Sequence, residues 1–277
     1  MPILRLLLAI PLLAMLAWRP AAADPGGDPP AGPAPAAMAR LVLEQRGGEV
    51  LAWAENLLAG PIEVMLRGDG AALPAARPAL PARATVPARG RALVARLGPS
   101  VPREAGLNLQ AVPGHPSVRT HEVEYAWPLS GLPARVTQGW GGGTSHRGPA
   151  NLHAVDLAAP AGTPVLAARD GVVMQVESRF RHGAADPRLE DRANFVRILH
   201  GDGTMALYAH LDATGVFVRP GQRVRRGERL GLSGSTGYSA APHLHFVVQA
   251  NRGMRLESIP FRMFGPSGVL RFHAPAP

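Results

Sequence analysis

Glycine and proline bound what this chain can fold into. With 32 glycines and 29 prolines in 277 residues, the apolar segments are cut every few positions, and none in the C-terminal half reads as a long helix. What survives between the breaks is alternation. Arg40–Gln45, Glu49–Glu55, Ile62–Arg67, Arg91–Leu97 and Glu122–Trp127 each show the short apolar/polar rhythm of a half-buried strand. This predicts a small β-sandwich of immunoglobulin type over residues 38–126. The pattern continues over 127–277. Gly162–Arg169 and Val172–Val176 flank Asp170-Gly171 and read as a hairpin, as do Phe195–His200 and Thr204–His210 around Gly201–Gly203. Charged residues 178–193 read as a loop, and the tail after Asn251 holds one more strand. The fold class is all-β, a sandwich followed by a second antiparallel β domain.

The N-terminus sets an expected compartment. An apolar run, Leu6–Trp18, follows Arg5 and leads into Ala21-Ala22-Ala23. This reads as a secretory signal peptide over residues 1–23, the run being too short to span a bilayer. Residues 24–37, rich in Pro, Ala and Gly, read as an extended tether. The mature chain is therefore expected in the periplasm or outside the cell, with no stable membrane insertion after cleavage. There is no cysteine, which excludes disulfides and thiolate metal sites and leaves His, Asp and Glu as ligands. The formal charge of +9 falls by two once Arg5 and Arg19 leave with the signal. The basic residues are all arginine, scattered rather than clustered. That argues against nucleic acid as a partner and for a mild attraction to anionic envelope polymers.

The chemistry concentrates near Pro242-His243-Leu244-His245-Phe246-Val247-Val248. Residues i and i+2 of a strand share a face, so His243 and His245 project together while Leu244, Phe246 and Val248 face a core. By the same alternation Asp156 lies opposite Val155 and Leu157. The outward polar set is then His146, His153, Asp156, His210, His243 and His245. A catalytic zinc takes three protein ligands and one open position; two His and a carboxylate meet that need and leave imidazoles for proton transfer. The glycines before His146 lack the lysine and following helix of a phosphate loop. No helical His-Glu-x-x-His occurs. His115, His121, His182, His200 and His273 are read as background, with His182 and His200 solvated.

The surroundings of these residues closely resemble the lysostaphin/LytM-type zinc endopeptidases. The matching stretches are Ser145–Gly148, Ala154–Asp156, Gly162–Ala168 with Gly171–Val173, Leu207–Leu211, Val218–Gln222 with Val224–Gly227, Gly234–Gly237 and Pro242–Phe246, in family order over about residues 136–250. The resemblance implies an open antiparallel β groove. It implies one Zn2+ per chain held by His146, Asp156 and His245, with His210 and His243 as the catalytic pair and peptidoglycan peptides as substrate. One departure stands out. The family places its first ligand four residues before the aspartate, where this chain has Leu152. His146 and His153 compete for that role, and alternation points a residue three before Asp156 to the opposite face, which favours His146. Two rivals accompany this reading. One is a catalytically silent LytM-type binding protein regulating cell-wall amidases, whose relatives lose ligands that are all present here. The other is a periplasmic metal-binding protein with four protein ligands. Whether the N-terminal domain docks wall polymer, binds an envelope protein partner or covers the groove is left open.

Overall fold

The computed structural model describes residues 33–68, 75–99, 101, 106–142, 145–266 and 268–272. The signal-peptide segment, most of the tether and His273 lie outside them. Six strands come first: β1 (Ala39–Arg46), β2 (Glu49–Asn56), β3 (Ile62–Arg67), β4 (Ala82–Val86), β5 (Arg91–Leu97) and β6 (Asn108–Pro113). They form two three-stranded antiparallel sheets, ordered β1-β2-β5 and β4-β3-β6. Ala52, Ala54 and Val94 of one sheet and Ile62, Val64 and Leu66 of the other share a single core. β4 and β6 are additions to the expected strands; alanine and proline, weak strand formers, hide them in the sequence. Among the described residues six strands make up these two sheets, against the seven of a constant-type immunoglobulin sandwich.

The remaining strands are β7 (Glu124–Ala126), β8 (Val136–Gln138), β9 (Val155–Ala158), β10 (Pro164–Leu166), β11 (Gly171–Glu177), β12 (Gly183–Ala184), β13 (Phe195–Leu199), β14 (Met205–Ala209), β15 (Leu211–Val216), β16 (Arg223–Val224), β17 (Arg229–Ser233), β18 (Gly237–Tyr238), β19 (His243–Asn251), β20 (Leu256–Ser258), β21 (Arg262–Gly265) and β22 (Gly268–Val269). β7 belongs with these and not with the N-terminal sheets. It pairs with β21, and Tyr125 packs edge-on against Phe246 and Phe261. Seven strands form the central antiparallel sheet in the order β16-β11-β13-β14-β19-β9-β8, with β20 added on β19. One face of this sheet presents Val196, Ile198, Tyr208, Leu244 and Phe246 to a core that is closed by Val165, Leu211 and Leu230 of the small sheet β10-β17-β15. The other face carries the odd-numbered positions of β13, β14 and β19. At its far end Leu199 and Met205 join the core of the N-terminal sheets. Those sheets therefore bound the open face on one side.

The structure corrects one predicted hairpin. Asp170-Gly171 does not fold β10 back on β11: β10 pairs with β17, and β11 pairs with β13 and β16. Asp170 bridges sheets instead. Its carboxylate accepts the Arg226 N–H at 2.6 Å and its carbonyl accepts from His200 at 2.7 Å. The Gly201–Gly203 hairpin does form, with Leu199 opposite Met205. Segment 178–193 is mostly loop, but β12 pairs in parallel with β18. A Cβ on Gly183 would lie 1.6 Å from the Ser235 carbonyl oxygen, so only glycine allows that close approach.

His200 is also corrected. It is buried, not solvated: 3% exposed, with Tyr125 edge-on at 5.6 Å. Burial lowers its pKa to about 4, against an unfolded value near 6.5. The neutral form is the folded form, so its contribution is complete above pH 6.5 and is lost as pH falls through about 4. That makes stability fall by about 3 kcal/mol over this window. Urea midpoints measured from pH 7 to 4 should drop less steeply in His200→Asn, which keeps a donor for the Asp170 carbonyl without a titrating ring.

Candidate metal centre

β19 presents His245, Val247 and Gln249 to the open face, while Leu244, Phe246 and Val248 have no exposed surface. Across the ladder Asp156 of β9 sits opposite His245, so the two side chains lie on one face as direct neighbours. The third member comes from the turn after β8. There the His146 Nδ1–H donates to the Gly139 carbonyl at 2.8 Å. That bond orients the ring and places Nε2 3.1 Å from Asp156 Oδ1. The Gly139 position cannot carry a side chain, because a Cβ would lie 2.0 Å from the Phe272 carbonyl oxygen. His245 Nδ1 approaches the same Oδ1 at 3.0 Å. One ligand atom from each of His146, Asp156 and His245 lies within 4.8 Å of the others, and all three residues are buried.

His153 goes elsewhere. Its backbone N–H and Nδ1 engage Ser258, with Nδ1 3.1 Å from the Ser258 carbonyl oxygen, and its ring packs edge-on against Trp140 at 5.2 Å. His210 and His243 join the cluster without being part of the ligand triplet. Their rings lie 4.6 Å apart, and His210 is 5.8 Å from His245. Each donates Nδ1–H to a backbone carbonyl, His210 to Thr236 at 2.7 Å and His243 to Ala241 at 2.8 Å. In a neutral ring with Nδ1–H so committed, Nε2 is the acceptor, and that of His243 is 3.5 Å from Asp156 Oδ1. His210 also has a positive φ of 62° between β14 and β15, a conformation unusual for any residue but glycine, asparagine or aspartate. His115 caps Ser117 in an exposed loop, and the His182 carbonyl serves the Gly237 N–H.

The electrostatics follow from burial and neighbours. Burial alone would raise the Asp156 pKa, but hydrogen bonds with His146 and His245 outweigh it and hold the carboxylate far below its usual range. Burial lowers the His245 pKa against the pull of Asp156. Burial, with the neighbouring His243 and His245 rings, pushes His210 down to about 3. A permanent carboxylate and a His245 ring held toward its neutral form are protonation states that ligate a metal. The donor set, two nitrogens and one carboxylate oxygen, leaves an open coordination position and fits zinc.

The cluster sits where two cavities meet. One, of about 540 Å³, is lined by Arg147, Glu190, Asp191, Phe195, Arg197 and Leu207 along with His210 and His245. The other, of about 670 Å³, is lined by Ala158, Pro160, Ala240, Ala241 and Pro242 along with Asp156 and His243. Ser145, His210 and Tyr238 border both. The groove thus runs past the cluster with charged groups on one side and small apolar residues on the other. Of these lining residues Arg197 left a trace in the sequence, a single charge inside the apolar run Phe195–Leu199.

Residues 150–256 match the family described as peptidase family M23. The segment includes Asp156, His210, His243 and His245 but not His146. The peptidoglycan DD-endopeptidase ShyA of Vibrio cholerae is 41% identical over 93 residues, 34% of this chain and 19% of that protein. The DD-carboxypeptidase/endopeptidase Mpg of Neisseria meningitidis is 41% identical over 97 residues, 35% of this chain and 20% of that protein. The chain thus spans about one fifth of the length of these curated relatives. Among solved structures, the catalytic domain of the antimicrobial peptidase lysostaphin from Staphylococcus simulans aligns with a TM-score of 0.32 and 30% identity, over 43% of this chain and 81% of that one.

Proposed function

We propose that the chain, whose residues 150–256 match peptidase family M23, acts as an exported, zinc-dependent endopeptidase hydrolysing peptide bonds of peptidoglycan. The observation that carries this reading is the convergence of three metal-capable donors and two further imidazoles at the junction of the two cavities. Similarity to a protein named a peptidoglycan DD-endopeptidase supports the substrate. The apolar run Leu6–Trp18 supports export.

His146, Asp156 and His245 would hold the metal. When bound, zinc supplies a lowered pKa for a coordinated water and polarises a carbonyl. The other steps belong to the chain. Nε2 of His210 or of His243 takes a proton from the attacking water, since the Nδ1–H of each is already committed to a carbonyl. Once protonated, either ring donates to the leaving amine or to the oxyanion. The two cavities receive the peptide on either side of the scissile bond. The N-terminal sheets bound the open face, and we assign them the role of end wall and binding module.

Digestion of purified sacculi tests this reading. Zinc-loaded protein should release soluble muropeptides, a chelator should stop the release, and zinc should restore it. Intact sacculi in the presence of one bound zinc would refute the substrate assignment.

A further inference from the structure

Deep in the wall of the cavity beside His245 lies a cation without an anion among the described residues. Arg197 is 8% exposed. Its Nη1 donates to Gln249 Oε1 at 2.7 Å, and its Nε has no partner. Its register neighbours are Gln175 on β11 and Leu207 on β14, and the Gln175 carbonyl oxygen also lacks a donor. The guanidinium is thus set among two neutral amides, a leucine and the Phe195 ring, whose centroid lies 5.9 Å from its central carbon. Glu190 and Asp191 line the same cavity, yet neither makes an ion pair with it among the described residues. Burial lowers its pKa to about 10, which leaves it charged at neutral pH.

An uncompensated buried charge is costly, and replacing it with an apolar group of similar volume commonly costs nothing or stabilises. Its position accounts for its retention. Arg197 pairs with Leu207, and Leu207 pairs with Val247, two residues beyond His245. All four therefore share the open face. Two strands across and two residues along separate the Arg197 and His245 Cα atoms by about 12 Å. Its Nη1 bond to Gln249, two residues beyond Val247 and four from His245, directs the guanidinium toward that end of the face, so an extended peptide, advancing about 3.3 Å per residue, meets it about three or four residues from the bond held at the metal.

We propose that Arg197 is a specificity-determining residue that receives a free carboxylate of the substrate peptide, about three or four residues from the scissile bond, in the planar forked geometry that guanidinium offers a carboxylate. The inference rests on the peptidase reading for its substrate, but binding tests it independently of cleavage.

Two probes are compared: a cross-linked stem-peptide dimer with its free carboxylates, and the same dimer with those carboxylates converted to carboxamides. Calorimetry on the full chain, stripped of metal so that no carboxylate binds there, should show the carboxylate form binding about tenfold or more tightly. In Arg197→Met the preference should vanish while the melting temperature holds or rises. A fall in that temperature with the preference intact would make Arg197 purely structural, and equal binding of both probes by the wild type would overturn the proposal outright. If Arg197→Met does not fold, Arg197→Lys carries the test, because it keeps the charge and loses the fork; an undiminished preference there overturns the proposal. Hydrolysis by the zinc-loaded chain separates the two readings. Cleavage without a carboxylate preference refutes the Arg197 site alone. Selective binding that depends on Arg197, without cleavage, refutes the peptidase alone.

Discussion

His245→Ala is expected to lose bound metal and peptide hydrolysis together. His245 offers one of the three ligand-capable atoms gathered here among the described residues, and its Nδ1 lies 3.0 Å from Asp156 Oδ1. Two remaining donors cannot fix a tetrahedral ion with one open position. Lewis-acid assistance is worth several kcal/mol, so kcat/KM should fall by about a thousandfold or more. Elemental analysis beside the muropeptide assay checks the coupling: full metal content with lost activity would mean that His245 acts in catalysis and is not a ligand. His153→Ala is the matched control. Its ring is engaged with Ser258 and Trp140, so metal content should be unchanged.

His210→Asn should separate what His245→Ala joins. Asparagine tolerates the positive φ of 62° at this position, so the backbone between β14 and β15 keeps its bend. What is lost is a neutral imidazole with Nε2 free. General-base assistance of this kind is worth about 10²–10⁴-fold, and the loss should appear in kcat with metal content intact. The pH profile adds a second check. Burial and two neighbouring histidines hold the His210 pKa near 3, so the ring is already neutral through the usual acid limb. A wild-type limb lying between pH 5 and 7 therefore belongs to another group and should persist in whatever activity His210→Asn retains. If activity is unchanged in this variant, proton transfer is assigned to His243 alone.

How much of this was legible in the sequence depends on how local each feature is. The strand alternation that places His243 and His245 on one face, with Leu244 and Phe246 on the other, is a property of four consecutive residues. It needs no tertiary information. The same holds for Asp156 between Val155 and Leu157, and for the Gly201–Gly203 turn. The Asp170-Gly171 hairpin failed because a turn signal says that the chain reverses and not which strand it meets afterwards. Here β11 was captured by β13 and β16. β7 was misplaced for the same reason, since its partner β21 is more than a hundred residues away.

The sequence by itself therefore determined an all-β chain and most of the chemistry at its centre, because periodicity and residue type are written locally. Only the tertiary structure decided between His146 and His153. That choice depends on the path of the turn from Gly139, on the carbonyl that orients His146, and on Ser258, 105 residues from His153 in the chain. It likewise made His200 a buried neutral ring and left Arg197 without an anion among the described residues. Burial and the absence of a partner are set by everything that packs around a side chain, and no local pattern encodes them.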